Sequence, residues 1–428
     1  MRAFALVLMT LLLSVAPAAA MQSMQQRGTL PRGGAYVLDP DPTVAATAID
    51  LWFRAPGAGY DNTSPGIARL AATAAAAARL ASGKSLVEMV HSVGGILTID
   101  VYPDMVGIGA VVPAPSVRRI LAAMTAAYFS PAIDDGAVKT AQRDAAVLAV
   151  QQRYSADQTL HDLLFAQIFA SGPAHFPPLP DSVTQLTRIP VSDVGTFAKR
   201  AFRSDNATLT VAGNVDASSL DAITDGQGNG SMDQPFGSPL AGAGGDTTAP
   251  GAVDGVGLAW VGPPIADTKA ATALDFVADY LFREETGVVS KAMDALKSST
   301  YVNGQFVTLH DPGVMLVTIS GDDPKIAKQR VLDELQKLEQ PLGAAAFGAA
   351  REAFLYHIVS DTQTPQGQAD NLGWYAAEGN ASYAPGDASN QYESAARALD
   401  PAYVAEIVRR YLKQPAVVNL VTSKESAS

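Results

Sequence analysis

Residues 64–81, SPGIARLAATAAAAARLA, have one local solution. Ser64 is a good N-cap and Pro65 suits the first helical position. The Ala-rich run that follows has close to the best helix-forming composition. A helix is therefore predicted from Ser64 toward Ala81. An alternating apolar stretch at 44–54 precedes it and reads as a strand.

The same grammar continues along the chain. A short strand is predicted at 34–38 and a helix at 86–93, ended by Gly94 and Gly95. Strands follow at 96–102 and 105–112, joined near Pro103 and Asp104. Helices are expected at 116–128, 134–153, 159–169 and 192–202, and ATLTVAG at 207–213 closes as a strand. Residues 217–255 then turn rich in Gly, Ala, Pro, Asp and Ser, a linker composition.

Beyond 255 the plan repeats. VGLAWV at 256–261 is a strand before Gly262, Pro263 and Pro264, and a helix follows over 266–282. A short helix at 288–296 leads to a hairpin of 300–309 and 314–320. Four helices (324–338, 344–360, 364–377, 401–411) precede AVVNLVT, which parallels ATLTVAG as a closing strand. The halves share architecture rather than sequence identity. The expected fold is α+β, with two tandem, similar domains. Each is a mainly antiparallel sheet covered by helices on one face. The boundaries are 1–20, 21–216, 217–255 and 256–428.

Residues 1–20 read as a secretory signal. Arg2 gives the positive start, 3–15 the apolar core, and Ala18, Ala19 and Ala20 the cleavage site. With no Cys in 428 residues, disulfides, a lipid-modified Cys and thiolate metal sites are excluded. An exported, Cys-free chain suits a bacterial periplasm or envelope. The net charge of −12 and the lack of a basic run argue against nucleic acid. No stretch after the signal is apolar enough to span a membrane.

Four ordered segments carry a family resemblance. They are PGIA at 65–68 opening the Ala-rich helix, HSVGGILTIDVYPDMVGIGAVVPA, YFSPAIDDGAVKTAQRDAAVLAVQQRY with the helix after it, and LTRIPVSDVGTFAKRAFRSDNATLTVAGNVD. Together they resemble the insulinase/pitrilysin metallopeptidases, which include the mitochondrial processing peptidase. The resemblance implies a LuxS/processing-peptidase-like fold and, in active members, zinc held by H-x-x-E-H on that helix. Two His four apart share a face and grip the ion, and the Glu takes a proton from zinc-bound water. Here the motif positions hold Arg69, Ala72 and Thr73. Arginine stays protonated and cannot ligate a cation, and Ala72 offers no base. The family's third ligand, a downstream Glu, falls near Val150, and no Glu occurs between Glu88 and Glu284. Asp144 is the nearest substitute carboxylate.

The resemblance also implies an Arg and a Tyr in the second domain that contact substrate. The corresponding stretch reads SKAMDALKSSTYVNG, which places Lys291 and Lys297 where Arg is expected and Tyr301 at the Tyr. Tyr301 and Lys297 are thus the candidate substrate contacts. Lys keeps the charge but loses the two-pronged fork of Arg.

Other chemistry is poorly represented. The five histidines (His91, His161, His175, His310, His357) show no short metal-ligand spacing. Glu88 and His91 share a helix face, but a solvated helix end explains them as well. Gly83, Lys84 and Ser85 end like a phosphate loop without its first Gly. The late aromatics Tyr356, Trp374, Tyr375, Tyr383 and Tyr392 fit a helix core first and a peptide groove second. No catalytic residue, cofactor or metal is therefore expected. The leading reading is a catalytically inactive partner of a homologous zinc-bearing subunit, closing over peptide or unfolded polypeptide. A non-catalytic envelope scaffold is the alternative, followed by a hydrolase with an unrecognised site.

Overall fold

The computed structural model describes residues 25–54, 64–170, 176, 179–180, 183–226, 245–295, 299–378 and 387–422. The expected signal, Lys297, His175 and Tyr383 lie outside them.

The first half runs β1 (Gln26–Thr29), β2 (Ala35–Pro40), β3 (Ala46–Arg54), α1 (Ile67–Ala77), α2 (Leu86–His91), β4 (Ile96–Val101) and β5 (Met105–Pro113). It continues with α3 (Val117–Phe129), α4 (Asp135–Tyr154), α5 (Ala156–Ile168), α6 (Val183–Thr187), α7 (Val191–Ala201) and β6 (Ala207–Gly213). The second half runs β7 (Gly245–Gly251), β8 (Gly255–Val261), α8 (Thr268–Phe282), α9 (Val288–Ala295), β9 (Tyr301–Val307) and β10 (Val314–Ser320). Then come α10 (Pro324–Leu338), α11 (Ala344–Asp361), α12 (Pro365–Glu378), α13 (Asp387–Arg397), α14 (Pro401–Tyr411) and β11 (Ala416–Thr422).

The sheets are ordered β1-β2-β6-β3-β5-β4 and β7-β11-β8-β10-β9. Without β1 they match strand for strand. In each, the outer strand runs parallel to the strand that closes its half, and the remaining pairs are antiparallel. The strand β7 lies inside the stretch read as linker. Its GDTTAPG sequence has no apolar alternation, because it is a mostly exposed edge strand held by pairing with β11.

Helix α1 starts later and ends sooner than its composition implies. Gly66, not Ser64, is the N-cap, at φ 90°, where a side chain would be strained. A Cβ there would also press on Leu179 at 3.1 Å and Pro180 at 3.2 Å. The helix stops at Ala77 because the chain turns back through Leu80 to pair Arg79 with Ser85. The buried alanines of α1 (Ala68, Ala71, Ala72, Ala74, Ala75, Ala76) let α3, α4 and α7 approach closely.

The central strands are buried on both faces, so each has two cores to satisfy. Along β3, Ile49, Leu51 and Phe53 join the helices of their own half, while Ala48, Asp50 and Trp52 point the other way. That second face is covered by α12, a helix of the other half, which packs on β3 and β6. The exchange is reciprocal. On β8, Leu258 and Trp260 face their own helices, and Ala259 joins the opposite core with Leu160, Leu164, Phe165 and Ile168 of α5. Helices thus cover one face of each sheet from within its half, and one helix from the other half covers the second face. Each buried Leu, Ile or Phe of α5 contributes about 1.5–3 kcal/mol.

The α12 contact is close enough to require glycine. A Cβ on Gly373 would lie 2.1 Å from Trp52 Nε1 and 2.6 Å from Thr210 Oγ1. Gly373→Ala should therefore cost about 1–3 kcal/mol despite the better helix propensity of alanine. Gly348→Ala in α11, where nothing lies within 4 Å, should instead stabilise by about 0.5–1 kcal/mol. Urea unfolding of both variants checks the pair; equal effects would refute the close contact.

Candidate functional site

The two halves enclose a cleft of about 860 Å³. The N-terminal turn of α1 supplies Ala68 and Arg69, and the edge strands β4 and β9, each with the residue that follows it, supply 99–102 and 305–308. Leu148 and Gln152 of α4, His161 and Asp162 of α5, and Asp370, Asn371, Trp374 and Tyr375 of α12 complete the wall. The exchanged helices α5 and α12 therefore build the site as well as the junction.

Arg69 is the cation of this cleft. Its guanidinium donates to the Ile99 carbonyl at 2.7 Å, and Asp100, Asp162 and Tyr102 act on it electrostatically. Burial lowers its pKa and those three groups oppose that shift; the group stays protonated at any ordinary pH. Partial desolvation in the cleft raises the Asp100 carboxyl, although the residue is exposed, and Arg69 pulls it back down. The Tyr102 hydroxyl is raised, first by burial and then by Asp100 and Asp370.

An aromatic bridge spans the halves. Tyr102 stands edge-on to Trp374 at 4.8 Å, and Trp374 edge-on to Trp52 at 5.7 Å. The Trp374 indole N–H donates to the Thr308 carbonyl at 2.7 Å. His161 packs edge-on against Phe165 at 4.4 Å, with Nδ1 3.4 Å from Asp162.

A second lobe of about 550 Å³ adjoins the cleft and shares Gln305, Phe306, Asp361 and Tyr375 with it. There His357 Nδ1 lies 2.9 Å from Asp279, and Arg283 makes a two-pronged contact with Asp361 at 2.8 Å. Burial pushes Asp275 up to about 8 although it accepts a hydrogen bond from Tyr392 at 3.0 Å.

The residues present do not fit a zinc ion. Arg69 puts a fixed cation at the first motif position. Ala72 is buried, and its carbonyl accepts from the Tyr128 hydroxyl at 3.0 Å. Thr73 is half-buried. Among the described residues no group of three His, Cys, Asp or Glu could hold a metal. Val150 is 49% exposed, and the cleft-facing positions of α4 are Leu148 and Gln152. Asp144 is exposed beside Arg143.

Other sequence candidates are dispersed. Tyr301 opens β9, is 57% exposed and is not part of the cleft wall; Lys291 is exposed on α9. Glu88 serves a capping box with Ser85, and His91 is exposed. Of the late aromatics, Trp374 and Tyr375 line the cleft, while Tyr356 is exposed. Sequence reasoning missed Asp100, Tyr102, Asp162 and Asp370. An acid inside an apolar strand, as in AIDLWF around Asp50, was the available signal that the second face meets something polar.

No protein-family model and no curated protein matches the sequence. Solved structures do. A protease from Helicobacter pylori is similar over 93% of this chain and 99% of its own, with TM-score 0.80 and 14% identity. The inactive domain of a peptidase M16 from Pseudomonas fluorescens gives 0.71 and 16%, over 94% of this chain and 100% of its own. A chain of complex III2 from Candida albicans gives 0.73 and 14%, over 93% and 95%. The fold is that of the M16-like, insulinase-type peptidases, carried here by a helix with Arg69, Ala72 and Thr73 at the zinc-motif positions. No helix among the described residues is long and apolar enough to cross a membrane.

Arg69→Met keeps the stem and removes the charge that faces Asp100 and Asp162. The expected loss is about 1–3 kcal/mol at neutral pH. Without Arg69 the Asp100 pKa rises further, so the deficit belongs to the ionised carboxylate and shrinks as pH falls toward about 4. Denaturant unfolding at several pH values checks this, and a pH-independent deficit would show that Arg69 acts through packing and its Ile99 hydrogen bond rather than through Asp100.

Proposed function

We propose that this protein is an exported, non-catalytic M16-like subunit that pairs with a zinc-bearing homologue and forms half the wall of a peptide chamber. The observation that carries this reading is Arg69. The cleft between the halves is retained, but the motif position that would grip a metal holds a guanidinium bonded to the edge strand β4. Such a cleft binds without activating water.

The geometry favours an extended peptide as occupant. Both β4 and β9 are edge strands and both face the cleft. Edge strands offer backbone groups to an added strand, and pockets beside them read alternate side chains. Trp374, Tyr102 and Tyr375 supply the apolar wall for those side chains. The inactive M16 domain from Pseudomonas fluorescens and the complex III2 chain from Candida albicans support an inactive and an assembled role respectively. Export rests on the N-terminal sequence, with Arg2, the apolar run and Ala18, Ala19 and Ala20.

A stand-alone envelope binding protein is the second reading, favoured by the exposed position of Tyr301 outside the cleft wall. Residues 21–428 should be purified alone and then mixed with the product of a neighbouring gene that keeps H-x-x-E-H. The helper reading expects substoichiometric zinc and no peptide cleavage alone, with cleavage appearing in the mixture. Peptide binding with no effect on any such partner would favour the stand-alone role. Turnover by this chain alone would overturn both.

A further inference from the structure

Helix α12 meets the first half with two acids on one side, Asp370 and Glu378, about two turns apart. Each meets an acid of the first half. Asp370 is coupled electrostatically to Asp50 in the middle of β3, and Glu378 to Asp104 in the turn between β4 and β5. Asp50 is 3% exposed, Asp104 4% and Glu378 0%. Asp50 Oδ2, Asp104 Oδ1 and both Glu378 carboxyl oxygens find no donor among the described residues. Asp104 Oδ2 accepts the His310 backbone N–H at 3.0 Å, and His310 Nδ1 lies 3.0 Å from the Glu378 carbonyl oxygen.

Two carboxylates in contact cannot both ionise cheaply, whereas one shared proton satisfies both. Glu378 and Asp104 are both out of water, while Asp370 is exposed to the cleft and its partner Asp50 is buried. The other charged groups facing these pairs are few. Asp100 of β4 faces Asp50 and Asp370, Arg54 of β3 faces Glu378, and Arg69 faces Asp100. The Tyr102 hydroxyl feels Asp370 and Glu378.

We propose that α12 docks onto the first half through two shared protons, one in each carboxyl pair, making the junction an acid-favoured latch that loosens as pH rises. In this arrangement Asp50 donates to Asp370 and Glu378 donates to Asp104. Burial holds Asp50 and Glu378 well above the usual carboxylate range and Asp104 above it; Asp370, exposed at the cleft, is raised by partial desolvation and by Asp100. The docked form therefore keeps protons that the undocked form releases. The contribution is complete below the ordinary carboxylate range, about pH 4, and is lost as pH climbs through the raised values. Asp370, Trp374 and Tyr375 also line the cleft, so undocking α12 would open its wall. The proposal holds whether or not the cleft takes a peptide.

Trp52 and Trp374, one from each half and 5.7 Å apart, report docking. The test is the near-UV circular dichroism of the full chain between roughly pH 4 and 9, with hydrogen exchange followed along α12. The expected result is a tryptophan signal that falls with pH while secondary structure persists. Asp50→Asn and Glu378→Gln keep a donor and remove the charge. They should move the fall upward by about one pH unit and slow α12 exchange at pH 8 about tenfold. A wild-type signal that does not change with pH overturns the latch, and that arm stands even where a variant does not fold. Variants that follow the wild-type curve overturn it too. So does recovery of the pH 8 signal on adding Ca²⁺, which would put a cation, not a proton, between the acids.

Discussion

Everything else depends on the exchange of α5 and α12 between the halves. The central strands of each sheet are buried on both faces, but each half has helices for only one. The second face of each sheet finds its cover in the other half. Neither sheet is therefore a complete core by itself, since each needs a helix of the other half. The cleft follows from the same exchange. The helices that cross over leave a gap between the edge strands β4 and β9, and their cross-over faces become its wall.

Arg69 shows how a helix of this fold can keep its shape without metal ligands at its motif positions. A zinc site gathers a positive charge among donors, and its removal would leave nearby acids uncompensated. Here the guanidinium supplies a fixed charge toward Asp100 and Asp162 and ties α1 to β4 through the Ile99 carbonyl. Unlike a bound metal it has no open coordination position and cannot lower the pKa of water. The helix remains a structural member, packed through its alanines, with Arg69, Ala72 and Thr73 at the motif positions.

Much of this was legible in the sequence where the signal is local. Alternation gave β3 and β8, the Ala-rich composition gave α1, and the matched closing strands ATLTVAG and AVVNLVT disclosed the duplication. Partners distant in sequence were not legible. Nothing in the sequence of α12 says that it covers β3, and β7 carries no apolar alternation because its pairing with β11 supplies its order. The late aromatics divided in a way periodicity could not separate, since Trp374 and Tyr356 read alike until α12 and α11 are placed. The Ser64 cap was displaced by Gly66, whose left-handed backbone redirects the chain past Leu179 and Pro180.

The two exchanged helices are not equivalent, and the difference lies in what each buries. Helix α5 meets the second sheet with Leu160, Leu164, Phe165 and Ile168, all buried and apolar. Its cover rests mainly on apolar burial, with half-buried Asp157 at its start accepting hydrogen bonds from Thr318 and Asn303. Helix α12 meets the first sheet with Gly373 against Trp52 and with Trp374 in the aromatic bridge, but it also carries Asp370 and Glu378 into contact with Asp50 and Asp104. Burying acids cancels part of the gain from the aromatic contacts. One crossing is thus mainly apolar, and the other carries acids into the contact. In a protein whose cleft lies between these crossings, the acid-bearing one is where the two halves separate first.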